Sequence, residues 1–401
     1  MEHVWTDPAS PIQGLVKAGA HGRRLTTAGL VSAIAVGFVG ALFIFITPAM
    51  LALIAAQSGM DDAHLGYIAA WDINAMGVGM AASTFLLVRW NWRRALILAL
   101  ALIMLGNIAT AAVHDYAMIA LASCVAGLGQ GLAVGFSFAA LGRASNPDRA
   151  FSIYLVVGAV LGAALLYGLP ILQTEFTPAT IFLANAALTL LVGLSLPAFP
   201  NGQCEEDEVY TGDGINWRLA ITALGAVALV FFAIGAVWSY AERIGAASQL
   251  SSEVIARGLS IGTLAGVVGA GLAGIMPQRL GRLVPLLLGS LCIIVGFQML
   301  AGRVGPIAYL MSIILILFGW NFVQPLLSGM CCDADGRGRI VCAMAAIQTF
   351  GMGLGPAVAA PMIAGGSFRG AVWLAIAAMI AGGGFIIAET VLRKPVRSAA
   401  P

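Results

Sequence analysis

The stretch Gly274-Ile275-Met276-Pro277-Gln278-Arg279-Leu280-Gly281-Arg282-Leu283 lies between two long apolar runs and holds the only basic residues for a considerable distance on either side. Two arginines three apart, with a glycine between them, read as a tight basic turn joining two membrane helices. A weaker echo stands 189 residues earlier, at Phe85 to Arg94, where Arg93 occupies the place of Arg282 and Trp92 that of Gly281. Gly77 maps onto Gly266 by the same offset. A membrane chain that repeats a helix hairpin half its length later is most simply built from two related bundles.

Composition supports the same class. Of the 401 residues, 60% are apolar and 9% charged, and the mean hydropathy is +0.96. Soluble domains carry about 25% charged residues, so this chain cannot cover a water-facing surface. A net charge of +2, without a basic run interleaved with aromatics, excludes a nucleic-acid partner. None of the six cysteines stands at metal-ligand spacing with a histidine, so neither metal nor cofactor is expected. The absence of a Gly-x-x-x-x-Gly-Lys-Ser/Thr run argues against direct use of ATP. Histidines scattered at His3, His21, His64 and His114 give no catalytic constellation, so an enzyme is not expected.

Twelve apolar runs are long enough to span a bilayer, at about 20 residues each. They cover residues 28–56, 65–89, 95–113, 117–142, 150–173, 178–198, 217–243, 253–277, 284–301, 307–330, 339–364 and 369–392. The expected architecture is all-α and polytopic, with two pseudo-symmetric six-helix bundles over 28–198 and 217–392. A polar segment over 1–27 precedes them, a short tail over 393–401 follows, and an acidic linker with Glu205, Glu206, Asp207, Glu208 and Asp213 fills 199–216. Sixteen of the twenty basic residues fall on one side if the N-terminus is cytoplasmic, which places both termini in the cytoplasm of a multi-pass inner-membrane protein.

Gly274, Arg279, Gly281, Arg282 and Leu286 resemble the signature of the major facilitator superfamily. Gln278 and Arg89 stand where that signature usually has an aspartate, and Trp92 where the first half usually has glycine. The resemblance implies a secondary transporter, functional as a monomer, with a central cavity that opens alternately to each side. Spans one, four, seven and ten would line the cavity, and two, five, eight and eleven would join the bundles. It further implies gating at the basic turns, through Arg93, Arg279, Gly281 and Arg282.

The remaining candidates come from the residues themselves. Ionisable groups inside hydrocarbon are costly and mark function by default. Asp72 is the clearest, and a carboxylate at that depth suits a group that gains and loses a proton. Glu242 is a second candidate, and Arg243 beside it could close an outer gate with it. Gln130, Asn321 and Gln324 are uncharged polar residues near mid-membrane. With the aromatic residues Phe43, Phe232, Trp238, Tyr240 and Trp320 they fit an apolar site with a few orienting groups. No lysine or arginine lies deep in spans one, four, seven or ten, which disfavours strongly anionic solutes. The expected cargo is a small neutral, amphipathic or weakly charged organic solute, with a proton as co-substrate. A facilitative uniporter, a drug or metabolite exporter and a non-transporting receptor on the same scaffold stay open.

Overall fold

The computed structural model describes residues 25–201, 215–275, 281–334, 339–363 and 366–393. Residues 202–214 of the acidic linker, with its five carboxylates, most of both terminal segments, Gln278 and Arg279 therefore lie outside the described residues. Twelve long helices dominate: α1 (Thr27–Ser58), α2 (Asp62–Arg89), α3 (Trp92–Ala112), α4 (Tyr116–Leu141), α5 (Pro147–Glu175), α6 (Pro178–Gly193), α7 (Trp217–Trp238), α8 (Ser252–Ile275), α9 (Leu283–Met299), α10 (Pro306–Ala334), α11 (Arg339–Ala359) and α12 (Arg369–Arg393).

Ten of the described helices are long and apolar enough to cross a membrane. Of the other two, α9 is apolar but has 17 residues, and α2 has 28 residues with its apolar run interrupted by Asp72 and Asn74. Large apolar side chains such as Ile97, Leu105, Leu191, Ile221, Leu288 and Ile380 lie exposed on the outside, where only lipid can cover them. The protein is an integral, multi-pass membrane protein.

Helix starts follow local chemistry. Thr26, Asp61, Asn91, Asp115, Asn146 and Thr177 each precede a helix of the first half and accept a hydrogen bond from an N–H of its first turn. Asn216 does the same for α7. Such caps satisfy donors that the helix itself cannot, a need sharpened near lipid.

One expectation needs correction. The seventh span does not run unbroken to residue 243: α7 ends at Trp238, and a separate short helix covers Ala241–Ala247. Glu242 and Arg243 stand on that short helix.

Packing reveals the repeat. In the first half α2 packs on α4, α3 on α4 and α6, and α1 on α4, α5 and α6. The second half repeats these pairs as α8 on α10, α9 on α10 and α12, and α7 on α10, α11 and α12. Between the halves the principal contacts are α2 with α11 and α5 with α8, the four helices that the resemblance implied.

The glycine runs serve mainly packing inside each half. A Cβ on Gly127 or Gly131 would strike the carbonyl oxygen of Asp72 or Met76, so α4 lies backbone to backbone against α2. On α5, a Cβ on Gly158 would reach within 2.7 Å of Phe45 on α1. On α11, Gly351 and Gly355 lie against the α7 backbone at Ala228 and Phe232. Small residues allow such approach in membranes, where van der Waals contact replaces hydrophobic drive.

Candidate functional site

Aromatic residues and one broken helix meet where α1 faces α7. Proline at position 48 has no N–H to give to the carbonyl four residues back, which is that of Ile44. The helix kinks there, with Ile46 at φ −122° and ψ 23°. The indole Nε1–H of Trp238, on α7 of the other half, donates to this Ile44 oxygen at 3.1 Å. Trp238 is buried and meets Trp320 edge to face at 6.3 Å between centroids, and Phe231 meets Trp320 likewise at 6.2 Å. The Nε1–H of Trp320 is buried without a partner. An unpartnered indole donor in an aromatic wall is a group that a solute acceptor could satisfy.

The other substrate candidates scatter. Asn321 gives its Nδ2 to the Leu317 carbonyl at 2.9 Å and packs against Gly266 of α8. Gln324 is partly buried one turn further along α10, and Phe232 is partly buried on α7. Tyr240 is fully buried, and its hydroxyl donates to the Pro356 carbonyl of α11 at 3.0 Å beside Gly66 of α2. Phe43 and Gln130 turn into the interior of the first half. Gln130 and Asn321 thus hold similar places in sequence and face different neighbours.

That interior contains a small cavity of about 20 Å³ open to the centre of a water molecule. Its lining includes Phe43, Asp72, Asn107, Ser123, Gln130 and Asn185, all from the first half. Asp72 lies about 15 Å along α2 from its start, at 1.5 Å per residue. Gln130 Nε2 stands 3.4 Å from Asp72 Oδ2, and Asn185 Nδ2 donates to Asn107 Oδ1 at 2.9 Å. Asn107 and Asn185 were passed over because they stand on the third and sixth spans, outside the four that the resemblance assigns to the cavity.

A clasp joins the two halves at the face opposite the termini. The Arg243 Nε–H donates to Asp62 Oδ1, at the start of α2, at 2.6 Å. Arg243 Nη1 is 4.0 Å from Glu242 Oε2. The partner across the interface is Asp62, which the sequence did not single out. Both side chains are largely covered, at 30% and 17% exposure, so the bond exceeds a freely solvated pair. Asp62→Asn is expected to shift the balance of open and closed states at this face roughly fivefold toward open, about 1 kcal/mol. Thiol labelling of a cysteine placed beside the clasp should report it. The exchanged pair Asp62→Arg with Arg243→Asp should restore wild-type labelling; if Asp62→Asn alone labels at the wild-type rate, the clasp does not gate.

At the termini face each half pins its basic turn to the end of its fourth helix by different chemistry. In the second half Gly281 takes φ +65°, and Arg282 reaches α10, bonding the Gly329 carbonyl at 2.8 Å and pairing with Asp333. In the first half Trp92 fills the corresponding place. It is fully buried, donates its indole N–H to the Leu87 carbonyl at 3.0 Å and meets Phe136 of α4 edge to face. The Arg143 guanidinium, from the end of α4, lies 4.1 Å above its ring. Arg93, the counterpart of Arg282, instead bonds the Phe199 carbonyl at 2.9 Å.

Two six-helix halves related by this repeat, joined through α2–α11 and α5–α8, are the major facilitator fold. No family model and no curated protein matches the sequence. Solved structures match the fold along most of the chain. A nucleoside transporter superposes with a TM-score of 0.74 at 12% identity, over 90% of this chain and 99% of its own. The xylose transporter of E. coli, in a partially occluded inward-open conformation, gives 0.72 at 13% identity, over 90% and 96%. A bacterial homologue of the human lysosomal transporter Spinster, inward-facing and unoccupied, gives 0.66 at 14% identity, over 91% and 98%.

Proposed function

We propose that this chain is a secondary active transporter that moves a small neutral, amphipathic or weakly charged organic solute by alternating access. The observation that carries the reading is the interface: two repeated halves meet along two helix pairs, with a polar clasp at one end. Such a joint lets the halves rock about a site between them. The fold neighbours include a nucleoside transporter and a xylose transporter, which agrees with a small organic cargo. The reading is of a transporter rather than an enzyme, acting as a monomer in the inner membrane with both termini cytoplasmic.

The solute would sit where α1, α7 and α10 meet. Trp238 and Trp320 form an apolar wall there, and the unpartnered Trp320 N–H orients an acceptor on the cargo. Asn321, Gln324 and Phe232 would act from the second half, while Gln130 would act through Asp72 as the coupling group. Driving ions would bind at Asp72, and the sequence expectation for that ion is a proton.

A thermal-shift screen of purified protein against a broad solute library, followed by uptake into liposomes, tests the reading. A stabilising solute should cross the membrane, and Trp320→Ala should weaken its binding roughly tenfold, the worth of one good hydrogen bond to a buried group. Wild-type affinity in Trp320→Ala would remove that residue from the site. Liposomes that move none of the stabilising solutes would leave a receptor on a transporter scaffold.

A further inference from the structure

The cavity inside the first half carries an imbalance of hydrogen-bonding groups. Asp72, Gln130 and Asn185 each present an oxygen that is buried and without a partner: Oδ1, Oε1 and Oδ1. Asp72 is 2% exposed and Gln130 5%. The amide nitrogens nearby are already engaged, Gln130 Nε2 with Asp72 Oδ2, Asn185 Nδ2 with Asn107 Oδ1, and Asn107 Nδ2 with the Ile103 carbonyl. Around one carboxylate, three buried oxygens are thus left without a donor.

A single proton neutralises Asp72 but supplies one hydrogen to several oxygens. One water donates two hydrogen bonds and leaves the carboxylate charge buried, which is costly. A bare monovalent cation does both tasks at once, since it neutralises the carboxylate and takes several oxygen ligands together. Hard cations favour carboxylate, amide and hydroxyl oxygens, which is the donor set present. Calcium takes six to eight oxygens, and beside a lone carboxylate it would leave a net positive charge among apolar helices. The space matches a small ion with at most one water, since a single water needs about 10–15 Å³ by the same measure.

We propose that this cavity binds one small alkali cation, of sodium or lithium size, between Asp72 of α2, Gln130 of α4 and Asn185 of α6, with Asn107 of α3 holding Asn185 in place. The site rests on the transporter reading and deepens it by naming the coupling ion and placing it away from the solute. Occupancy draws α2 toward α4 and α6. On α2, two residues beyond Asp72, Asn74 lies against Gly353 of α11, at the main contact between the halves. The ion therefore acts on the helix that both halves share.

Retention of radioactive ²²Na⁺ by the purified full-length chain in detergent tests the site, with choline chloride holding ionic strength constant. Saturable retention of about one ion per chain is expected, displaced by unlabelled sodium and lithium but not by choline. Asp72→Asn should lose it, and Gln130→Leu and Asn185→Leu, which leave the charge count unchanged, should each weaken it roughly tenfold. Absence of saturable retention in the wild type overturns the proposal, as does wild-type retention in Asp72→Asn or in both leucine variants. Retention without solute flux in liposomes would refute the transporter and leave the ion site standing. Flux that accumulates solute on a pH gradient alone, with no sodium retained, would overturn only the ion site.

Discussion

Asp72→Asn is expected to abolish accumulation of solute against its gradient while solute exchange across the liposome membrane continues. A tenfold gradient of one coupled cation supplies about 1.4 kcal/mol, which sustains about a tenfold solute gradient. The coupling depends on a carboxylate that is charged when empty and neutral when occupied, whether by a proton or by a metal ion. Asparagine has nearly the same shape, can keep a contact with Gln130 Nε2 3.4 Å away, and has no charge to neutralise. The solute wall at Trp238 and Trp320 lies outside the lining of the Asp72 cavity, so exchange should survive. The accumulation ratio should therefore fall to about one, as counterflow of labelled solute stays near wild type. Undiminished accumulation in Asp72→Asn would falsify the coupling role.

The second large effect concerns folding. Trp92→Ala is expected to destabilise the first half by about 3–5 kcal/mol, the usual cost of truncating a fully buried aromatic side chain. The indole is completely buried, donates to the Leu87 carbonyl and supports both Phe136 and Arg143. Removing it leaves a cavity, an unanswered carbonyl and a cation that has lost the ring beneath it. Trp92→Phe should recover the packing but not the hydrogen bond, and so lie between. Thermal melting of the purified variants, followed by near-ultraviolet circular dichroism, orders the three. Equal melting of Trp92→Ala and wild type would show that the turn is not pinned through this ring.

The two effects illustrate different reaches of sequence reading. Trp92 was visible as the residue in the place of Gly281, yet its purpose was not. The basic turn of the second half uses a left-handed glycine and an arginine that reaches Asp333 and the Gly329 carbonyl. The first half answers the same need with a stacked tryptophan and Arg143 from just beyond the end of α4. A degraded motif can thus be a working joint made from other parts. Asp72 was visible because a carboxylate inside an apolar run is expensive wherever it points, but its companions Asn107 and Asn185 were not.

The sequence by itself determined the membrane class, the twelve long helices, the repeat and most helix starts. Each of these depends on neighbours along the chain: the length of an apolar run, a capping side chain, a basic turn. Tertiary structure decided which groups meet. Gln130 went to Asp72 and Asn321 to α8, although they hold similar places in the two halves of the sequence. Arg243 hydrogen-bonds Asp62 while its neighbour Glu242 stands 4.0 Å away, and Gly158 of α5 and Gly351 and Gly355 of α11 were used within each half. Pro48 leaves the Ile44 carbonyl without its helical donor, and the packing of the halves brings Trp238 to supply one. Partner choice depends on helix rotation and on close approach, set by packing of residues far apart in the chain, and a periodicity of apolar residues leaves both open.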